Sequence, residues 1–281
     1  MKRNSYNCRI TLCISSANIK KKSEMENKSI QEFKECYGTW ALVAGAAEGI
    51  GEAFTEALAK RGINLVMVDF NATVLHNFAE RMKTTYNILI REVSLDLSEQ
   101  DAWETCMKEI IDLDCRLLIY IPAYSRVKTF LSNSYEELDK YIDLNTRAPI
   151  HLVHSFISAF EDQQSAGIIL MSSIAGLIGP PFLAPYAASK AFNILLAESL
   201  HSEMKENKIK ISVCCAGQTS TPAYWSSKPA IRKQWPPVMR PDKVADYALK
   251  NLGKQALLIP GWQNRQSSRR PLRATSFYNR Q

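Results

Sequence analysis

Tyr186 and Lys190, four residues apart, together with Ser173 thirteen residues upstream, offer a phenol, an ammonium and a hydroxyl to one reaction centre. A phenol titrates near pH 10 when unperturbed, too high for base work at neutral pH. An ammonium at i+4 shares the helix face and favours the phenolate, so Lys190 is expected to make Tyr186 more acidic. The Ser173 hydroxyl can hold a substrate oxygen and polarise a carbonyl as charge develops on it. Such a set reduces a carbonyl or oxidises an alcohol once a hydride carrier binds beside it. The spacing by itself is common. Tyr-x-x-x-Lys occurs at Tyr124/Lys128, Tyr186/Lys190 and Tyr224/Lys228, and only Tyr186 has a serine thirteen positions earlier, the other two having Ile111 and Ile211 there.

A carrier site is legible upstream. Ala44-Gly45-Ala46-Ala47-Glu48-Gly49-Ile50-Gly51 follows an apolar run and opens an amphipathic segment. Glycines at this junction let the backbone turn sharply and approach a pyrophosphate, while the helix N-terminus offers unpaired N–H groups. Gly45, Gly49, Ile50 and Gly51 are therefore candidate cofactor contacts, spaced G-x-x-x-G-x-G. Asp69 ends the next apolar run, 18 residues beyond Gly51. An acid there accepts from the adenosine ribose hydroxyls and repels a 2′-phosphate. Glu48 and Phe70 add no cation for that phosphate, so NAD is expected over NADP. Asp69 could instead cap a loop. Asp96, with Leu97 packing beside it, is the candidate contact for the adenine edge, or else a helix N-cap.

The elements that must position these groups follow from hydropathy. Apolar runs at 40–44, 64–68, 88–93, 116–121, 167–171, 210–214 and 256–259 alternate with helical segments at 51–61, 72–84, 100–112, 135–159, 185–205 and 242–252. Near-continuous apolar strands separated by helices predict an α/β fold: one doubly wound, Rossmann-type, seven-stranded parallel sheet with helices on both faces. Its ligands bind at the carboxyl ends of the strands, where strand order reverses. Residues 1–36 read as a basic disordered extension, 37–262 as the dehydrogenase domain and 263–281 as a basic tail. The segment 222–241 lies where a substrate lid would sit. It carries Tyr224, Trp225, Trp235, Pro236 and Pro237, aromatic enough to favour an apolar substrate.

The net charge of +7 points to no nucleic-acid partner, because the ends carry it. Residues 1–36 hold eight Lys/Arg against four acids and residues 262–281 hold five against none, which leaves the middle slightly acidic. The seven cysteines (Cys8, Cys13, Cys36, Cys106, Cys115, Cys214 and Cys215) show no metal-ligand or redox spacing, so no metal is expected and a reducing, cytoplasmic setting is. No apolar stretch reaches the roughly 20 residues that span a bilayer. His151 and His154 share a helix face but have no third ligand, and read as packing or interface residues.

Taken in order, the glycine loop at Gly45–Gly51, Asn145, Ser172-Ser173, and Tyr186 with Lys190 resemble the short-chain dehydrogenase/reductase family over about residues 38–262. The resemblance implies that Ser173 holds the substrate oxygen, Tyr186 exchanges its proton, and Lys190 binds the nicotinamide ribose. It implies further that Asn145 orders a relay water and that Thr221 contacts the nicotinamide amide. Pairing through segments 135–159 and 185–205, as a homodimer or homotetramer, is also implied. The chain departs from the family at Ile121-Pro122-Ala123, where Asn-Ala-Gly is usual, at Ala216-Gly217 for Pro-Gly, and at Ala44 for Thr. The function expected is hydride transfer between NAD and a secondary alcohol or ketone. A non-catalytic dinucleotide sensor or partner-binding protein, and an NADP-preferring reductase, are the alternatives.

Overall fold

The computed structural model describes residues 25, 27–160, 165–227 and 237–268. Strands β1 (Trp40–Ala44), β2 (Asn64–Asp69), β3 (Ile90–Ser94), β4 (Cys115–Tyr120), β5 (Ala166–Ser173), β6 (Ile209–Ala216) and β7 (Leu257–Leu258) form one sheet in the order β3-β2-β1-β4-β5-β6-β7. All the pairings are parallel. The strands are apolar throughout because both faces are covered. Ala41, Val43, Leu65, Met67, Leu117 and Ile119 face one core, shared with α2 (Ile50–Ala59), α3 (Ala72–Tyr86) and α10 (Pro241–Asn251). Their neighbours Leu42, Ala44, Val66, Val68, Leu118 and Tyr120 face the other, shared with α4 (Ala102–Lys108), α6 (Ala148–Ser158) and α8 (Ala184–Glu203). Successive side chains on a strand point to opposite faces, so a sheet buried on both sides reads as an unbroken apolar run. Order reverses between β1 and β4, which places a crevice above Ala44 and Tyr120.

The predicted 135–159 helix is α5 (Tyr135–Ile142) running into α6 through a π-turn at Asp143–Arg147. Such insertions often mark functional positions, and this one carries Asn145. A capping box starts α5: the Ser134 side chain accepts from the Glu137 N–H while Glu137 reaches back to the Ser134 backbone.

Regular structure extends past both of the expected domain limits. Residues 27–37 are helical (α1), so order begins well before residue 37. Phe33 and Cys36 pack on the core, Tyr37 is buried, and the Arg116 guanidinium donates to the carbonyls of Lys34, Glu35 and Cys36. A cation meeting the last carbonyls of a helix satisfies groups with no intrahelical partner. Residues 263–268 likewise continue a helix, α11 (Trp262–Ser268), in place of a tail. Residues 1–24 and 269–281, with Cys8 and Cys13, lie outside the described residues, as do Trp235 and Pro236 of the expected lid. Among the described residues no helix is long and apolar enough to cross a membrane.

Candidate active site

All of the sequence-marked groups except Asn145, Tyr186 and Lys190 lie at or just beyond the carboxyl edge of the sheet. Gly45 leaves β1 with φ 73°, and its N–H and that of Ala46 donate to the Val68 carbonyl. A side chain on Gly51 would begin 1.7 Å from the Gly45 carbonyl oxygen, so the loop folds onto the first turn of α2 with no space for one. Gly49 caps α2 without a side-chain hydrogen bond, which leaves a helix N-terminus open to an anion. These features fit a dinucleotide pyrophosphate. Asp69 spans two elements: Oδ2 accepts from the Ala47 N–H at 3.0 Å and Oδ1 from the Asn71 N–H at 3.3 Å. It thus caps the loop, as its alternative reading held, and it also puts a carboxylate at the edge of the glycine turn. Asp96 takes the Ser98 N–H at 2.9 Å and its hydroxyl at 2.7 Å, a local turn on an exposed residue, while Leu97 is buried in the core. Thr221 caps the short helix α9 (Pro222–Ser226) through the Tyr224 N–H, and its methyl lies 3.0 Å from where a Gly49 side chain would start.

Ser173 is the last residue of β5, paired with Ala216, and its Oγ accepts from the Ala175 N–H at 3.1 Å. Tyr186 lies in the first turn of α8 and Lys190 one turn deeper, with Nζ 5.8 Å from the centre of the Tyr186 ring. The Ser173 hydroxyl is the group that pulls the Tyr186 pKa down, and Lys190 Nζ lies over the Tyr186 ring, so the structure brings the three side chains to one end of the sheet. Its electrostatics differ from the expectation. Burial pushes the Tyr186 pKa up, and the Ser173 hydrogen bond offsets only part of that. Lys190 is not among the groups that lower it, because burial drives its own pKa down to about 8 and its Nζ donates to the Met171 carbonyl at 2.9 Å. The neighbouring Cys215 thiol is pushed up to about 12, which keeps it neutral at ordinary pH. Without a bound partner the phenol is therefore a neutral proton donor, and the expected acidification is corrected: removing both groups from water costs more than their attraction returns.

Asn145 is fully buried and three of its four side-chain hydrogen-bonding positions are met by protein. Oδ1 accepts from the Tyr124 N–H at 2.7 Å, and Nδ2 donates to the Tyr124 carbonyl at 3.0 Å and to Ser189 Oγ at 2.9 Å. Its backbone carbonyl accepts from Asn193 Nδ2 at 3.0 Å. This side chain thus spends both N–H groups on protein and keeps one Oδ1 lone pair for the water that the resemblance implies. It clamps the loop after β4 to α8. That clamp supplies what Ile121 cannot, while the Ile121 N–H bonds the Ala44 carbonyl and the Pro122 ring stacks under Gly45. Asn145→Ala strands two backbone groups of Tyr124, and should lower unfolding stability by about 2 kcal/mol in a denaturant titration.

Sequence reasoning missed Tyr124, Tyr141, Ser189 and Asn193. Tyr124 and Tyr141 meet edge to face at 4.9 Å beside the site, and Ser189 Oγ bridges the Tyr186 carbonyl to Asn145. The i, i+3, i+7 spacing of Tyr186, Ser189 and Asn193 was the available signal. The competing Tyr124/Lys128 pair is spent on Glu137, which both side chains contact. Lys228 lies outside the described residues. His151 stacks on Trp103 at 4.1 Å. His76, Glu80 and Glu92 cluster on the surface, where Lys83 Nζ sits 2.8 Å from each carboxylate and supplies the cation. A cavity of about 320 Å³ opens beside the glycine loop between α2 and α3, and its lining includes Ala47, Glu48, Glu52, Asn77, Arg81 and Pro222. Arg81 is paired with Glu52 at 2.5 Å.

Comparison with known proteins agrees with this geometry. Residues 39–231 match the family model described as short chain dehydrogenase. The chain is 30% identical over 234 residues to a 7beta-hydroxysteroid dehydrogenase of Clostridium sardiniense, covering 83% of this chain and 90% of that one. It is 29% identical over 236 residues to a very-long-chain 3-oxoacyl-CoA reductase-like protein of Arabidopsis thaliana, covering 80% and 74%. A solved structure from work on 7beta-hydroxysteroid dehydrogenase stereoselectivity superposes with a TM-score of 0.76 at 29% identity, covering 84% and 92%. With the sheet order, the glycine turn and the family match in agreement, the chain belongs to the short-chain dehydrogenase/reductase family of NAD(P)-dependent oxidoreductases acting on CH–OH groups.

Proposed function

We propose that this enzyme transfers hydride between NAD(H) and a secondary alcohol or ketone on a bulky apolar skeleton. The observation that carries the reading is the gathering of Ser173 at the end of β5 with Tyr186 and Lys190 on α8, the Lys190 Nζ 5.8 Å from the centre of the Tyr186 ring. A bound nicotinamide supplies or accepts the hydride. In the reducing direction Ser173 holds the carbonyl oxygen, and the neutral Tyr186 hydroxyl gives it the proton as negative charge builds there. Lys190, still mostly protonated at neutral pH, is placed to donate to the nicotinamide ribose and to stabilise the tyrosinate left behind. Gly45, Gly49, Ile50 and Gly51 would cradle the pyrophosphate, with Thr221 flanking the nicotinamide end and Asp96 and Leu97 the adenine end. Pairing of two copies through α5–α6 and α8, where Ile142, Ile150 and Leu195 stay exposed, belongs to the same reading.

Two observations favour NAD. Asp69 brings a carboxylate to the glycine turn, and Arg81, the cation lining the neighbouring cavity among the described residues, is committed to Glu52. Asp69→Asn keeps an acceptor for the Ala47 N–H but removes the charge. The ratio of NADPH to NADH affinity should then rise about tenfold by fluorescence titration. Wild-type protein that binds NADPH more tightly than NADH would overturn the preference.

The apolar substrate is supported by Tyr224 and Trp225, which meet edge to face at 5.0 Å at the base of the loop, and by relatives named for a hydroxysteroid and a very-long-chain acyl group. A panel of hydroxysteroids, aryl ketones, short alcohols and sugars, followed at 340 nm, tests it. Turnover confined to the sugars and short alcohols defeats the assignment.

A further inference from the structure

The segment that joins β6 to α10 carries Thr221 and the aromatic pair, and its two ends come together before it departs. The Ser220 N–H donates to the Met239 carbonyl and the Met239 N–H to the Gln218 carbonyl, both at 2.8 Å, with a parallel bridge between Thr219 and Met239. Thr219 Oγ1 ties back to the Gly217 carbonyl at 3.0 Å. Against these two stems sits one polar side chain from outside the sheet. Asn264 of α11 is 2% exposed, and its Nδ2 donates to Met239 Sδ at 3.0 Å and to the Pro260 carbonyl at 2.8 Å. Its Oδ1 has no hydrogen-bond donor and lies 2.5 Å from where a side chain on Gly217 would begin. A buried acceptor without a donor is costly, so its close packing on Gly217 is bought against stability. Arg265 anchors the helix itself, donating to the Ile259 carbonyl at 3.0 Å.

We infer that Asn264 is a positioning residue for the cofactor end of the site, a role that rests on the nicotinamide-binding reading above. It wedges between the stems at Gly217 and Met239 and so sets the angle at which Thr221 and Pro222 meet Gly49 and the rim of the glycine loop. Removing the wedge leaves Ser173, Tyr186 and Lys190 untouched but loosens the contact that closes over the dinucleotide. The consequence falls on cofactor affinity and spares the proton-transfer step.

The test uses the full chain. Asn264→Leu is nearly isosteric and loses both donors. In the cofactor-free protein, hydrogen exchange at the Ser220 and Met239 amides should quicken about tenfold, as expected when one local element is loosened. The NADH dissociation constant should rise about tenfold with kcat at saturating NADH within about twofold, a loss of binding without a loss of transition-state stabilisation. Gly217→Ala should weaken NADH similarly by colliding with Asn264. The double variant Gly217→Ala/Asn264→Ala should bind NADH better than Gly217→Ala alone, as touching residues are non-additive. If Asn264→Leu does not fold, Asn264→Asp, which keeps the shape but loses the amide donor, carries the same measurements. Unchanged exchange and unchanged NADH affinity in a folded variant overturn the inference. A wild type that binds neither NADH nor NADPH sinks the cofactor reading instead, and the exchange measurement then still reports whether Asn264 holds the stems.

Discussion

Tyr186→Phe is expected to lower kcat about a thousandfold while leaving the NADH dissociation constant within about twofold, since positioned proton transfer contributes on the order of 10²–10⁴. The substitution removes one oxygen and keeps the ring that packs in the first turn of α8. The glycine loop and Asp69, proposed to hold the cofactor, lie on other elements. Ser173 Oγ would keep its hydrogen bond from the Ala175 N–H. Equal turnover in wild type and variant would remove Tyr186 from the chemistry. NADH binding without wild-type turnover on any member of the panel would favour the alternative, a dinucleotide sensor on this scaffold. A sensor has no need of a half-buried phenol and serine gathered with a buried ammonium, and that is why the enzyme reading stands.

Lys190→Met should separate activity from stability in opposite directions. The ammonium is 3% exposed, has no carboxylate partner among the described residues, and titrates at about 8 instead of 10.5. A depressed folded-state pKa means the unfolded chain binds the proton more tightly. The charged lysine therefore destabilises the fold below pH 8, by roughly 3 kcal/mol at 1.36 kcal/mol per pKa unit. The penalty fades as pH rises from 8 to 10.5. Methionine fills similar volume without the charge, so the midpoint of unfolding at pH 7 should not fall and should rise, while kcat/KM drops about a hundredfold or more. In wild type, kcat/KM for carbonyl reduction should decline above about pH 8 as the free enzyme loses this proton. A variant that is both destabilised and active would show that the lysine is structural. The same imbalance explains why Tyr186 does not become acidic in the cofactor-free protein: burial acts on both partners before their mutual attraction does.

The parts of the site that were legible are those whose signal is local. Gly45, Gly49 and Gly51 mark a turn that only small residues allow. Ser173 ends an apolar run, and Tyr186 and Lys190 share a helix face at fixed spacing. What went unread depends on partners distant in the chain. Asn145 finds Tyr124, Ser189 and Asn193 on two other elements, and nothing in its neighbourhood says that it will be held by them. The ends of the domain were set too tight for a related reason. Helix α1 is held by Arg116, 80 or more residues away, and α11 reaches Met239 and Tyr247 through Asn264 and Arg265, so hydropathy alone saw polar segments.

By itself the amino-acid order determined the sheet, its doubly wound class and the glycine turn, and it singled out Ser173, Tyr186 and Lys190 as the trio proposed to handle the proton. Each of these rests on periodicity, steric tolerance or short spacing, properties a chain carries before it folds. The tertiary structure alone decided the protonation balance of Tyr186 and Lys190, the structural use of Asn145, and the seating of Asn264 against Gly217. Desolvation and long-range hydrogen bonding are set by what surrounds a group, and those surroundings exist only once the strands and helices have packed.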